Sequence, residues 1–564
     1  MVLITSKNSF AASSFPFHQY TDSIGAEITF TQAANRFLTT AFAIFRPSAK
    51  LPHVTSTILA LVPFAIFSAY PLCTSLRPVY TTVRSTPMSA SPSISASPIK
   101  FGTSGWRGLI ADDFTFASVR LAVTAIAEHV KGKSTHPTIL VAYDTRFYSE
   151  EFSALAVSIL QQHGIRAILC DTFTPTPAVA YEIQRAKLDG AVNFTASHNP
   201  AQYHGLKFSS ADAGPALPEV TTDIEGRAAR LFAAGGVAPL KVQAKPAETT
   251  NLRENYVKRL EQLVKFGILV NSKKKFVVDA LHGCGAGYLN KILADHGVPV
   301  ETIRADRDVL FDGTGPDVSE ENLAPLRNLV LSSKATVGLA TDGDADRFGI
   351  VDSDGAWIQP NLILALVYDY LVESRGWKMP AARSVATSEL VDAAAKFHGQ
   401  TVHQTPVGFK YIGQLIREDK IALGGEESAG LTIRGHIPEK DGILACLLVA
   451  EMIAARNASI SEQIQQLFKK VGRSFAPVRE NLHLTDEQKS VAIQKSKTES
   501  PTLLGRKIKS IDRTDGAKFA FEDGSWMLMR LSGTEPLLRL YVEAETPAAS
   551  AKLVREATDW ILSS

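Results

Sequence analysis

The sequence predicts three successive layered α/β domains followed by a small C-terminal α+β domain. Three observations carry this expectation. Apolar runs of strand length alternate with helical patterns through three cycles between residue 98 and about residue 472, the pattern of layered α/β sheets. From 473 onward the order changes to several short strands and one terminal helix, which reads as an α+β unit. The chain has 564 residues, 45% hydrophobic and 21% charged, enough for several packed cores and incompatible with wholesale disorder.

In the first cycle, 138–143 (TILVAY) reads as a buried strand, 150–162 as an amphipathic helix and 166–171 as the next strand. The turn-rich TPTP at 174–177 leads into a helix reaching about 186, and 190–194 (GAVNF) is another short strand. The second cycle, starting near 251, holds strand 276–280, helix 285–296 and strand 337–341. The third opens at Pro360 with a helix to about 371, then strand 384–387, a helix to 398, strand 421–423 and helix 441–455. Strands 507–511, 517–521, 526–530 and 538–543 precede the terminal helix. The expected domains are 98–250, 251–355, 356–472 and 473–564.

Residues 1–97 stand apart. They contain six basic and two acidic residues, a net of +4, whereas the whole chain carries +2. The rest of the chain is therefore slightly acidic. This Ser-, Thr-, Phe- and Ala-rich segment reads as a poorly ordered extension, with an organelle-targeting segment as the alternative. The uncharged run 57–73 has the minimum length for a membrane anchor, but Pro63 and Pro71 interrupt it. No membrane partner is expected. The near-zero net charge excludes a dedicated nucleic-acid binder. Four cysteines with no CxxC pair make neither a disulfide framework nor a zinc site, and a reducing cytoplasm is the simplest compartment.

Four stretches carry chemistry. Thr195-Ala196-Ser197-His198-Asn199-Pro200 follows a strand directly, and strand ends are favoured ligand positions in α/β sheets. Small residues before Ser197 leave its hydroxyl accessible, and His198 can act as a base or orient a neighbour. Asp342-Gly343-Asp344-Ala345-Asp346-Arg347 also follows a strand. Three carboxylates at alternate positions can converge on a hard divalent cation. An EF-hand loop is excluded, because its Gly and Glu positions fall on Arg347 and Ser353. Arg347 beside that cluster can reach a phosphate. Gly424-Gly425-Glu426-Glu427-Ser428-Ala429-Gly430 offers a carboxylate and a hydroxyl suited to vicinal sugar hydroxyls. Arg530-Leu531-Ser532-Gly533-Thr534-Glu535-Pro536 with Arg539 is a plausible phosphate cradle. In addition, Phe101–Gly108 can bring Arg107 near an anion, and Asp144-Thr145-Arg146 reads as an internal ion pair that fixes its loop.

Taken in this order, TASHNP, DGDADR, GEES and RxSGTEP resemble the α-D-phosphohexomutase superfamily, and most of all bacterial-type phosphoglucomutase/phosphomannomutase enzymes. The resemblance covers about 98–564. It implies mixed sheets around a central active-site cleft and a reversible exchange of hexose 1-phosphate and hexose 6-phosphate, with glucose or mannose as the sugar. Ser197 would be the phosphorylated serine, Asp342, Asp344 and Asp346 would hold Mg²⁺ against it, and a hexose 1,6-bisphosphate would be the intermediate. Glu426 and Ser428 would contact the sugar. Arg530, Ser532, Gly533, Thr534 and Arg539 would hold the non-transferring phosphate, Arg107 and Arg347 would line the cleft, and Lys410 would touch phosphate or hydroxyls. Some members place a histidine shortly after the GExS motif, where this chain has Gly430. Lys440 is therefore the candidate acid/base, with Lys207 second, and either would need a pKa lowered by nearby cations. Phosphoglucosamine mutase and a sugar-bisphosphate synthase are the alternatives within the class. An inert sugar-phosphate-binding protein is the alternative outside it. The oligomeric state is not legible.

Overall fold

The computed structural model describes residues 99–102, 104–239, 246–531 and 537–563. The expected extension 1–97, with its apolar run 57–73, lies outside these residues.

Four sheets follow one another along the chain. The first has the spatial order Trp106–Leu109, Tyr203–Ser210, Gly190–Phe194, Thr138–Tyr143, Arg166–Cys170, Glu248–Thr250. The second runs Trp357–Ile358, Phe348–Asp352, Val337–Thr341, Phe276–Asp279, Val300–Ile303, and the third Val402–Thr405, Ala381–Ser384, Leu423–Glu426, Gly430–Ile433. All three share one plan. A strand that is parallel to its neighbour on one side turns back into an antiparallel partner on the other: 190–194 into 203–210, 337–341 into 348–352, and 423–426 into 430–433. The connecting turn lies at the carboxyl end of a central strand, where α/β sheets bind ligands. Each of these turns carries a candidate motif. The fourth sheet is fully antiparallel, in the order Ala476–His483, Leu537–Ala544, Trp526–Leu531, Ala517–Phe521, Arg506–Asp512, Thr502–Leu503.

The cores follow the layers. A continuous apolar cluster runs from Leu140 through the second and third sheets to the buried faces of Pro360–Arg375 and Gly442–Arg456. The fourth sheet packs Phe519, Met527, Leu538 and Val542 against Ala492 and against Leu553, Ala557 and Ile561 of the terminal helix. Trp526, Leu528 and Tyr541 join it to Val385 and Ala386 of the third domain. Among the described residues no single helix is long and apolar enough to cross a membrane. Gly442–Arg456 with Ile460–Val471 passes only as a pair bent by 77°.

Several expected elements shift. The strand expected at 384–387 is Ala381–Ser384; a charged Arg383 masks it, because the guanidinium is buried and paired with Asp392. The strand expected at 421–423 runs Leu423–Glu426, its two glycines being poor strand formers. The helix expected at 285–296 begins only at Leu289, since Gly287 sits at φ 76, outside right-handed helical space. The antiparallel return strands 203–210, 348–352 and 430–433 carry no clear period, and the pattern missed them.

Candidate active site

The Ser197 turn is built by one arginine. Buried Arg146 pairs with Asp144 at 3.1 Å and donates to the carbonyls of Pro200 at 2.9 Å, Tyr203 at 3.0 Å, Ser197 at 2.7 Å and Asn199 at 2.5 Å. The internal ion pair expected from Asp144 and Arg146 is thus present. So constrained, Ser197 adopts φ 52, a left-handed conformation costing a non-glycine residue about 1–2 kcal/mol. Its N–H donates to Thr195 Oγ1 at 2.8 Å, and its hydroxyl donates to Asp342 Oδ2 at 2.8 Å. His198 Nδ1 lies 3.4 Å from that hydroxyl. Burial, then Arg347 and Arg107, push the His198 imidazole well below its ordinary value, so it is neutral. Arg107 donates to Asn199 Oδ1 at 2.5 Å.

The three aspartates converge. Asp342, Asp344 and Asp346 are at most 1% exposed, with ligand oxygens mutually within 4.8 Å. The close approach of the two turns demands a glycine: a Cβ on Gly343 would stand 2.6 Å from the Ser197 carbonyl oxygen and 2.9 Å from Pro316 Cγ. Burial, then Asp344 and Asp346, raise Asp342 well above the carboxylate range. Asp346 goes the other way: burial opposes its charge, but Lys207, Lys440 and Arg347 outweigh that and hold it ionised. Asp344 Oδ1 and Asp346 Oδ1 are buried with no hydrogen-bond partner. Unsatisfied carboxylate oxygens aimed at one point fit an oxygen-seeking divalent cation, so the residues present suit Mg²⁺.

Both candidate lysines reach this cluster. Lys207 bridges Asp344 at 2.6 Å and Asp346 at 2.8 Å. Lys440 lies 3.1 Å from Asp346 Oδ2 and 3.0 Å from Glu439 Oε1. Here the sequence expectation is corrected. Burial pulls each ammonium down, but the carboxylates Asp344 and Asp346 for Lys207, and Asp346 and Glu439 for Lys440, prevail and raise both. Neighbouring anions, not cations, set their charge. The placement of Lys440 also accounts for Gly430: a Cβ there would overlap the Lys440 side chain, so the lysine fills the space a side chain at 430 would take. Asp441 holds this segment as the cap of Gly442–Arg456, accepting from Leu444 N at 2.8 Å, from Tyr256 at 2.8 Å and pairing with His436 at 2.7 Å.

A second group gathers around Glu426. Its carboxylate accepts from Gly408 N at 2.6 Å, and burial with Glu427 beside it pushes its pKa up to about 7. Lys440 and Arg347 act on the same carboxyl in the opposite sense, linking the two groups. Ser428 is half-buried and its hydroxyl bonds to no other described residue. Lys410, half-buried, has its ammonium 5.4 Å from the Tyr411 ring centre. In the fourth sheet Arg530 and Arg539 are direct cross-strand partners. Arg530 donates to Asp515 at 2.9 Å, and the same oxygen accepts from Val407 N at 3.1 Å. Arg530, Asp515, Val407, Gly408 and Glu426 thereby form one tethered line. Ser532, Gly533 and Thr534 lie outside the described residues.

Sequence reasoning missed three supports. Thr176 donates to Asp344 from its hydroxyl and, at 2.9 Å, from its backbone N–H, and in turn accepts from Asn193. Nothing in TPTP beyond a turn signals this. Glu439, adjacent to Lys440 in PEKD, was legible as its partner.

The models for "Phosphoglucomutase/phosphomannomutase, alpha/beta/alpha" domains I, II and III match residues 98–234, 254–355 and 359–471, and the C-terminal domain model matches 480–559. A phosphoglucomutase/phosphomannomutase of Thermococcus kodakarensis is 30% identical over 79% of this chain and 94% of its own length. A phosphoglucosamine mutase of Kineococcus radiotolerans is 32% identical over 79% and 94%. A crystal structure described as "putative phosphomannomutase", from Thermus thermophilus, superposes with a TM-score of 0.73 at 31% identity, covering 83% of this chain and 99% of that one. Four consecutive domain matches and two such relatives place the chain in the phosphoglucomutase/phosphomannomutase family of α-D-phosphohexomutases, intramolecular phosphotransferases that isomerise hexose phosphates.

Proposed function

We propose that the protein interconverts hexose 1-phosphate and hexose 6-phosphate, with glucose or mannose as the sugar, through a phosphorylated Ser197 and a hexose 1,6-bisphosphate. The observation that carries this reading is the Ser197 hydroxyl, held at 2.8 Å from Asp342 in a buried turn that Arg146 fixes. Phosphorylated Ser197 gives its phosphoryl group to the free hydroxyl of a bound hexose monophosphate, forming the bisphosphate; the phosphoryl group at the other end of the sugar then transfers to Ser197 Oγ, releasing the isomeric monophosphate and restoring the phosphoserine. The transferring group carries charge on its oxygens, and positioning with electrostatic stabilisation supplies most of the catalysis. Arg107 and Arg347 provide fixed positive charge beside Ser197. Asp342, Asp344 and Asp346 would hold Mg²⁺, which supplies charge neutralisation at the transferring group when bound.

Lys440, protonated through Asp346 and Glu439, holds a proton at Nζ within the cluster; Lys207 keeps Asp344 and Asp346 in place. Glu426 and Ser428 contact the sugar hydroxyls, while Arg530, Arg539 and the 532–534 segment take the phosphate that is not transferring, with Lys410 assisting. The domains 98–250, 251–355, 356–472 and 473–564 would each contribute one of these parts. The three described cysteines are free and buried, which suits the reducing cytoplasm proposed for the enzyme.

Replacing Ser197 with Ala tests the reading. Turnover should fall by about 10⁴-fold or more with the fold intact by circular dichroism; near-normal turnover would remove the phosphoserine assignment. Chelation should stop turnover and added Mg²⁺ restore it. Phosphoglucosamine mutase is the second reading, favoured by the Kineococcus relative. A coupled assay with glucose, mannose and glucosamine 1-phosphates, each primed with its bisphosphate, ranks the substrates directly.

A further inference from the structure

The aspartate triad belongs to the second domain, yet the first domain holds one of its members in place. Asp344 Oδ2 accepts from two side chains, the Thr176 hydroxyl and the Lys207 ammonium, the latter at 2.6 Å. The Asp344 carbonyl oxygen accepts from the Thr176 N–H at 2.9 Å. That N–H opens the helix Thr176–Ala186, where the first backbone donors have no intrahelical partner. Asp344 Oδ1, in contrast, is buried without a hydrogen-bond partner. One edge of the carboxylate is committed and the other is open, in a triad whose ligand oxygens lie within 4.8 Å of one another.

The partners fix where the hydroxyl proton goes. Asp344 Oδ2 is ion-paired with Lys207, and a carboxylate oxygen only accepts, so the single Thr176 proton points to it. Thr176 Oγ1 can then only accept from its other neighbour, and Asn193 Nδ2 donates to it at 2.9 Å. Asn193, Thr176, Lys207 and Asp344 are all buried. Asn193 and Lys207 are direct partners on the antiparallel strands Gly190–Phe194 and Tyr203–Ser210, so their side chains share one face of the sheet. Strand Gly190–Phe194 leads straight into the Ser197 turn. The strand that delivers Ser197 therefore also delivers the donor that orders Thr176.

We propose that Thr176, oriented by Asn193, is a positioning residue that sets the affinity of the triad for its divalent cation. The inference rests on the reading of Asp342, Asp344 and Asp346 as the ligands of that cation. Groups that hold a ligating carboxylate from behind tune how well it binds metal. The two side-chain donors on Asp344 Oδ2 are not equivalent in this task. Lys207 bridges Asp344 and Asp346 with a full positive charge, which an arriving dication repels. The Thr176 hydroxyl is neutral and fixes the carboxylate without that repulsion. Because the hydroxyl and its Asn193 donor both come from the domain of Ser197, cation affinity reports how well that domain is seated against the triad.

The test is isothermal titration calorimetry of Mg²⁺ into the full chain, stripped of metal and dephosphorylated, with the thermal midpoint of each metal-free variant measured alongside. Thr176→Val keeps the branched side chain and removes the hydroxyl. Its Kd for Mg²⁺ should rise about 10-fold or more, while Thr176→Ser, which keeps the donor, stays near wild type. Asn193→Leu should weaken binding in the same direction by less, since the hydroxyl remains but loses its orientation. A purely structural Thr176 would lower the metal-free midpoint and leave Kd unchanged. The proposal is overturned if Thr176→Val binds Mg²⁺ as tightly as wild type, or if Thr176→Ser binds as weakly as Thr176→Val. Should Thr176→Val fail to fold, Asn193→Leu decides, and a wild-type Kd there overturns the relay. Wild-type protein that takes up no Mg²⁺ would remove the metal reading of the triad and this inference with it, an outcome distinct from equal affinities in wild type and variant.

Discussion

The turns after the central strands of the first and third sheets solve one geometric problem and are held in opposite ways. Each contains one non-glycine residue in the left-handed region, Ser197 at φ 52 and Ala429 at φ 70. In 195–202 the strained residue bears the hydroxyl, and Arg146 pins the surrounding carbonyls through four hydrogen bonds. In 427–429 the anchoring falls on Glu427, which accepts from Ser384 at 2.8 Å, and Ser428 next to it is left without a partner among the described residues. The difference teaches where rigidity is needed. In the proposed function the Ser197 oxygen must meet a phosphoryl group at bonding distance, and it is over-determined by its surroundings. The turn proposed to meet sugar hydroxyls keeps a donor uncommitted among the described residues.

The sharpest way to break this contrast is Arg146→Ala. It leaves Asp144 buried without its partner, and burial already pushes that carboxyl upward. Breaking a buried ion pair by removing one member costs about 3–5 kcal/mol, and the carbonyls of the turn lose their donor as well. Urea unfolding should show a loss of that size together with collapse of turnover. A variant with wild-type stability would mean that the turn holds itself.

Next in size is a pH effect at the strand end that carries Glu426. Glu426 has its pKa raised from 4.5 to about 7. Between those values the folded protein keeps a proton that the unfolded chain releases, so this contribution is full below 4.5 and is lost as pH rises through 7. The total is about 3 kcal/mol. Glu426→Gln keeps an acceptor for Gly408 N but has no proton to lose. Its unfolding free energy should therefore fall less between pH 4.5 and pH 8 than that of wild type. Equal slopes would show that the buried charge costs little there.

How much of this was legible depended on what each residue signals by itself. Ser197, the aspartates and Glu426 stand in short polar motifs at strand ends, so their positions were legible. The alternation of strands and helices was readable for the same reason: buried parallel strands such as 138–143 and 337–341 are continuous apolar runs. The return strands were not, because 203–210 must carry His204 and Lys207 inward and so breaks the apolar pattern. The charge state of Lys207 and Lys440 was also beyond reach. It depends on Asp344 and Asp346 of the second domain meeting Lys207 from the first and Lys440 from the third, and a local reading sees only that arginines are abundant. Thr176 supports Asp344 through a contact 168 residues away in sequence, which no local pattern encodes.

The smallest expected effect tests the free side of the comparison. Ser428 is half-buried and bonds to nothing described in the protein, so Ser428→Ala should change the unfolding free energy by less than about 0.5 kcal/mol. Its consequence should appear only with substrate bound. If the hydroxyl contacts a sugar hydroxyl equally in ground and transition states, KM rises several-fold with kcat unchanged; if the contact forms only as the phosphoryl group transfers, kcat falls instead. Glu427→Gln is the matched control. It weakens acceptance from Ser384 and Thr387, so it should lower stability by about 1 kcal/mol before it touches KM. Stability loss in Ser428→Ala, or none in Glu427→Gln, would reverse the division of labour within this turn, with the serine as anchor and the glutamate as the side chain left for the ligand.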